Sequence, residues 1–248
     1  MDYACEDPGN VVQEEMLRRM PEAGFHIPQA CGAAHQEREV NMDTSSAKKD
    51  KKTRCPWVPE KDELYIRYHD EEWGREQHDD HMLYEMLILE SFQAGLSWIT
   101  ILRKRENFRK AYDGFDVKKT AAYGEEKEAE LMSDPGIIRN RAKIRASICN
   151  SRVFLAIQQE FGSFDRYLYS FTDGKVIRES CGIRTTSPLS DAISKDLKKR
   201  GMRFVGSTTI YSYLQAVGVI SGHTRECFLG GADGTAPAVS SGRTPVQG

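Results

Sequence analysis

The chain has 248 residues, 39% of them hydrophobic and 29% charged, with 35 Lys or Arg against 37 Asp or Glu and a formal charge of −2. That composition suits a globular chain long enough for a sizeable core, and no window approaches the roughly 18 apolar residues a membrane helix needs. The start, MDYACEDPGN, carries acids and no apolar run, so no secretory leader is expected and a cytoplasmic location without membrane contact follows.

The net charge hides an asymmetry. Residues 1–46 hold nine acids and three Arg, a net −6, so the remainder carries +4. A polyanionic partner is therefore compatible with the composition. The six Cys, at 5, 31, 55, 149, 181 and 227, are scattered without a CxxC, and such spacing reads as free thiols or metal ligands rather than bridges.

In chain order, residues 1–52 lack sustained periodicity and end in the solvated linker SSAKKDKKT, so a disordered N-terminal extension is expected. Residues 53–231 read as one folded unit, and the Gly/Ser/Pro-rich 232–248 as a disordered tail. Within the unit, Tyr65 and Tyr68 are three apart and share a helix face. DHMLYEMLILESFQAG, residues 80–95, has apolar residues at 83, 86, 87 and 94, a helical period. Ile137, Ile144, Ile148 and Leu155 form another stripe. PLSDAISKDLKKRG opens on a Ser187–Pro188 start signal and stops at Gly201, and STTIYSYLQAVGV follows as a further helix. Strand-like alternation is scarce, so the expected fold class is all-α.

Glu90 lies three residues after Leu87 and seven after Leu83, on the apolar stripe of its helix. A carboxylate there is costly to bury without a partner. The pattern leaves two readings open: an edge residue whose carboxylate reaches water, or the acid of a pocket. Trp57, Tyr65, Tyr68 and Trp73 precede it, and Phe92 and Trp98 follow. Aromatics are mostly core, yet aromatics around one buried acid also suit a flat cationic heterocycle.

Cys55, His69, His223 and Cys227 are the metal candidates. The His223-x-x-x-Cys227 spacing alone is weak, but two Cys and two His suffice for a closed tetrahedral zinc site. Such a site would clasp the beginning of the unit to its end.

Three basic runs stand at 103–105, 139–145 and 195–203. The second contains Arg139, Arg141, Lys143 and Arg145 and follows a Pro135–Gly136 turn, where backbone N–H groups could cradle a phosphate. A solvated basic face is the alternative. Asp165 stands at a helix start, where capping explains it, and is a minor candidate for a catalytic carboxylate.

The strings Cys55-Pro-Trp57, Tyr65-IR-Tyr68-His69-DEE-Trp73-Gly74, Leu89-Glu90-SFQAGLSW-Ile99, Gly136-II-Arg139-N-Arg141, KKRGMRFVGSTT and His223-x-x-x-Cys227 resemble, collinearly, the bacterial 3-methyladenine DNA glycosylase I family. The resemblance covers residues 53–231. It implies a helix-hairpin-helix DNA glycosylase fold with one structural zinc per chain, held by Cys55, His69, His223 and Cys227. It implies a base pocket with Glu90 as its catalytic carboxylate and Trp57, Tyr65, Tyr68 and Trp98 binding the base. It places the DNA-contacting hairpin at Gly136, Ile137 and Ile138 with Arg139 and Arg141; Ile138 stands where a common form of the hairpin has Gly.

The implied activity is that of a monofunctional glycosylase. It would flip 3-methyladenine out of alkylated double-stranded DNA and release it, as a monomer in a bacterial cytoplasm, on the nucleoid. A non-catalytic nucleic-acid-binding module of the same fold is the alternative, and a pure binder has no use for a carboxylate at position 90.

Overall fold

A computed structural model describes residues 52–179 and 184–230. The expected N-terminal extension, apart from Lys52, and the expected tail over 232–248 lie outside the described residues. The described chain is built from α1 (Glu63–Glu71), α2 (Asp80–Gln93), α3 (Trp98–Ala111), α4 (Val117–Ala121), α5 (Glu125–Ser133), α6 (Arg141–Phe161), α7 (Phe164–Ser170), α8 (Pro188–Lys199) and α9 (Ser207–Ala216). Ile177–Arg178 and Ile220–Ser221 pair in parallel as β1 and β2. The chain is thus helix-rich rather than strictly all-α. Strands of two residues are too short to leave a period-two pattern in the sequence.

The helix boundaries follow from local chemistry. Asp79 caps α2 by accepting from the N–H groups of His81 and Met82. Ser187 and Ser190 form a reciprocal capping box at the start of α8, with Pro188 in its first turn. Gly201, at φ +102°, follows its last turn, as the Gly stop anticipates. Asn140 caps α6 through the N–H of Lys143, and the αL residue Gly162 ends it.

α2 is the axis of the fold. Every residue from Leu83 to Phe92 is buried, because α3, α6, α7 and α9 all pack on this helix. A helix covered on all sides has no polar face, so the stripe of Leu83 and Leu87 is one part of a fully enclosed surface. The stripe expected along α6 differs in detail. Ile144, Phe154 and Ile157 are fully buried and Ile148 nearly so, Ile137 is buried just before the helix begins, and Leu155 is half-exposed. Leu155 is therefore replaced in the core by its neighbour Phe154, which stacks on Phe164 at 4.1 Å.

Cys149 is disulfide-bonded, which departs from the reading of the scattered Cys as unbridged. Among the described residues, no helix is long and apolar enough to cross a membrane.

Candidate functional site

Two buried carboxylates stand on α2. Glu85 is 1% exposed and is held by Arg105 Nε at 2.5 Å and by Arg109 Nη2 at 2.8 Å. Burial raises its pKa, but the hydrogen bond from Arg109 and the charge of Arg105 outweigh that and keep it below the usual value. Glu90 is 4% exposed and its Oε2 has no hydrogen-bond partner among the described residues. Burial alone pushes its pKa up to about 8. Unpartnered buried polar atoms are rare in folded proteins and call for an explanation.

Trp98 Nε1, like Tyr169 Oη and Thr224 Oγ1, is another buried atom without a hydrogen-bond partner among the described residues. Trp98 begins α3, and its ring lies 5.3 Å from that of Tyr68 on α1. Tyr68 is almost wholly buried, and burial followed by the charge of Glu90 raises its pKa well above the usual value. Tyr65 is half-buried and is raised by the same two causes in the same order. α1, the last turn of α2 and the first residue of α3 thus bring Tyr65, Tyr68, Glu90 and Trp98 to one place. Trp57 stands further out. It is 38% exposed, with its ring 5.5 Å from Tyr65, 4.9 Å from Trp73 and 5.3 Å from His69. It bridges the aromatic wall and the Cys/His cluster, and its link to Glu90 runs through Tyr65. Two surface clefts, of about 470 and 140 Å³, lie elsewhere, and neither is lined by Glu90.

The Cys/His cluster joins the start of the described chain to its end, and its four ligand atoms lie within 4.8 Å of one another. Cys55 Sγ is 3.5 Å from His223 Nδ1, and Cys227 Sγ is 3.5 Å from His69 Nε2 and 3.6 Å from His223 Nδ1. A tetrahedral ion with metal–sulfur bonds near 2.3 Å and metal–nitrogen bonds near 2.05 Å has sulfur–nitrogen edges of about 3.6 Å, so the set could hold a metal ion. The surroundings orient it. His69 Nδ1 bonds to Asp70 Oδ1 at 2.8 Å, and Arg54 clamps Asp70 through both carboxylate oxygens, a carboxylate–His arrangement that fixes which ring nitrogen faces the ligands. The N–H groups of Thr224 and Leu229 approach the two sulfurs at 3.4 and 3.5 Å. Gly74, at φ +77°, lets His223 in: a Cβ there would stand 2.7 Å from His223 Nε2.

The basic runs divide by what each side chain touches. At the turn before α6, Asp134 accepts the N–H of Gly136, and Lys104 Nζ donates to the carbonyls of Pro135 and Gly136. Ile137 is core, and Ile138 packs against it half-buried. Arg139 and Arg141 face outward, with Arg141 3.3 Å from Glu128. Lys143 is turned inward, donating to the carbonyls of Phe92 and Ala94. Arg105, from the first run, is the buried partner of Glu85 and also of Glu72. In the third run, Arg200 pairs with Glu160 and Asp196, while Lys195, Lys198 and Lys199 are exposed. Asp165 lies in the first turn of α7 and bonds to His78 Nδ1 at 2.8 Å, while the cap is Ser163, so capping does not account for Asp165. Glu85, Lys143 and Trp73 were not singled out for these places by the sequence. An arginine pair four apart, at 105 and 109, was the available hint for Glu85.

The methyladenine glycosylase family model matches residues 57–230. The chain is 46% identical over 181 residues to DNA-3-methyladenine glycosylase 1 of Escherichia coli K12, covering 70% of this chain and 95% of that protein. The crystal structure of a 3-methyladenine DNA glycosylase I superposes with a TM-score of 0.68 at 47% identity, over 71% of this chain and 98% of the other. A Tyr-to-Phe variant of 3-methyladenine DNA glycosylase I in complex with 3-methyladenine gives 0.66 at 35% identity, over 67% and 92%. With the match spanning most of the described residues and both the helical frame and the clustered side chains in place, the chain belongs to the methyladenine glycosylase family.

Proposed function

We propose that this chain is a base-excision repair DNA glycosylase that hydrolytically releases 3-methyladenine from alkylated double-stranded DNA and leaves an abasic site. The observation that carries the reading is that two buried atoms without partners among the described residues, Glu90 Oε2 and Trp98 Nε1, both adjoin Tyr68. A buried acceptor and donor among aromatic rings are complementary to a flat, cationic, polar-edged base.

The chemistry follows from the leaving group. Methylation at N3 makes adenine cationic, so the bond from C1′ to the base is weakened and no general acid is needed. The site must accept the extruded nucleotide, recognise the cation and favour charge developing on the sugar. In the free protein Glu90 is held mainly protonated at neutral pH by burial. A cation beside it reverses that preference, so base entry and loss of the Glu90 proton are coupled. The carboxylate then accepts hydrogen bonds from the base edge, and the rings of Tyr65, Tyr68 and Trp98 enclose its faces. As the C1′–N bond breaks, its electron pair neutralises the base. Water oxygen bonds to C1′ and its proton is released. Trp57, nearer the surface, supports Tyr65.

The Cys/His cluster is read as a structural zinc site. Two sulfurs and two nitrogens, with three sulfur–nitrogen separations of 3.5, 3.5 and 3.6 Å, suit zinc and would leave no open position for water, so a bound ion would tie residues 55 and 69 to 223 and 227 and take no part in hydrolysis.

The helix-hairpin-helix element fits α8 and α9 better than α5 and α6. α8 and α9 pack together and are joined by residues 200–206, and Gly206 leaves the start of α9 without a side-chain cap. The first N–H groups of that helix suit a phosphate. At that earlier turn the Gly136 N–H is already held by Asp134, so DNA contact there is assigned mainly to Arg139 and Arg141.

The non-catalytic module remains the rival reading, and base release decides between them. Free base is collected from methylated duplex and identified; 3-methyladenine is expected. A protein that binds duplex and releases no alkylated base is the module instead.

A further inference from the structure

The pocket assignment leaves open what holds Glu90 and Trp98 in register. They lie on different helices, Glu90 in the last turn of α2 and Trp98 at the first residue of α3. The strap between them is tight: Leu96 N–H bonds to Gln93 O at 2.6 Å, and Gly95 takes φ +77°. Leu96 is 39% exposed, so the apolar core does not secure the strap at its tip.

The anchor is Lys143. It projects from the first turn of α6, is 8% exposed, and donates from Nζ to Phe92 O at 2.9 Å and Ala94 O at 2.6 Å. These carbonyls belong to the end of α2, where a helix leaves its last C=O groups without partners of its own. A cation there also meets the negative end of the helix dipole. Burying a lysine is costly, and desolvation lowers its pKa. Both acceptors of its ammonium are backbone carbonyls of the strap rather than carboxylates.

We infer that Lys143 is a positioning residue for base release, pinning the strap so that Glu90 and Trp98 address the same base. This rests on the assignment of those two side chains to the base pocket. The same helix makes a comparable contact two turns on. Asn150, fully buried, donates from Nδ2 to Arg203 O at 2.9 Å and accepts from Arg203 N at 2.8 Å. α6 thus holds both the pocket strap and the α8–α9 turn from one side.

The test uses the full chain and single-turnover excision from methylated duplex, with thermal melting and unmodified-duplex binding measured in parallel. Lys143→Met should fold yet excise at least about tenfold more slowly at saturating protein, since misplacement on the ångström scale costs roughly up to a hundredfold. Lys143→Arg, which keeps the cation and its donors, should recover most of the rate. In combination with Glu90→Gln, Lys143→Met should add little, because both act on one geometry. Lys143→Gln takes the place of the Met variant if that one does not fold. The inference is overturned if the Met or Gln variant excises at the parental rate, if Lys143→Arg gives no recovery, or if the double variant shows the full product of the two losses. Parental excision by Glu90→Gln alone would instead sink the pocket assignment on which the inference stands.

Discussion

Glu85 and Glu90 sit five residues apart on one buried helix, and the first is ion-paired to Arg105 and Arg109 while the second has an oxygen with no partner among the described residues. The same burial therefore has opposite outcomes. Glu85 is kept ionised as a structural node, and Glu90 is kept mainly protonated. The pairing tells a carboxylate that serves folding from one held ready for a ligand.

Glu90 should make stability pH-dependent in a specific direction. Its folded-state pKa, about 8, lies above the ordinary 4.5, so the folded chain binds more protons than the unfolded one between those values. Stability contributed by this group is present below that window and is lost as pH rises through it. Glu90→Gln should thus be more stable than its parent at pH 8, on the order of a few kcal/mol, and should gain little at pH 4.5. Urea unfolding of both proteins at the two pH values checks this; equal margins would contradict it.

Glu85 behaves in the opposite way. Glu85→Ala leaves Arg105, which is 6% exposed, buried without its main counter-charge. Breaking a buried pair from one side costs about 3–5 kcal/mol. Chemical denaturation should show that loss, and a change below about 1 kcal/mol, the range of an exposed pair, would mean the network is solvent-screened.

Purified protein should carry one zinc per chain. Cys227→Ser should lose it, and a loss on the order of 3 kcal/mol would lower Tm by roughly 6–12 °C. Gly74→Ala should weaken metal binding without replacing a ligand, because its Cβ would crowd His223 Nε2 at 2.7 Å. Elemental analysis beside thermal melting reads both effects. A metal-free protein as stable as the metal-loaded one would remove the clasp from the account.

Replacing Arg139 and Arg141 together by Ala should weaken duplex binding irrespective of sequence and flatten the log–log salt dependence by roughly one to two units. Binding titrations at several salt concentrations measure the slope. An unchanged slope would mean that Arg141 serves Glu128 alone and that the face at 139–141 is merely solvated.

Much of this was legible in the sequence because the signals were local or collinear. Ser187–Pro188 and Gly201 bracket a helix whose capping box and positive-φ Gly stop are where the residue types require them. Glu90 among apolar residues announced an unusual carboxylate, although the single stripe understated a helix enclosed on all sides. The four metal candidates could be named, but that 168 residues separate Cys55 from His223 across a 3.5 Å contact is a tertiary fact. The basic runs misled most. Composition cannot tell Lys143, spent on two carbonyls, or Arg105, spent on Glu85, from Arg139 facing outward. Nor does a Pro–Gly dipeptide disclose that Asp134 already holds the Gly136 N–H.

The central claim is that Glu90 recognises a cationic base in a pocket that performs hydrolysis, and single-turnover excision tests it most directly. Parent and Glu90→Gln are compared on methylated duplex, with released bases identified and unmodified-duplex binding measured alongside. Loss of one charge-assisted hydrogen bond in a dry site is worth on the order of 1.5–3 kcal/mol, or roughly ten- to a hundredfold. The account predicts 3-methyladenine from the parent, release slower by that factor from the variant, and nearly equal affinity for unmodified duplex. Release by Glu90→Gln at the parental rate would contradict it.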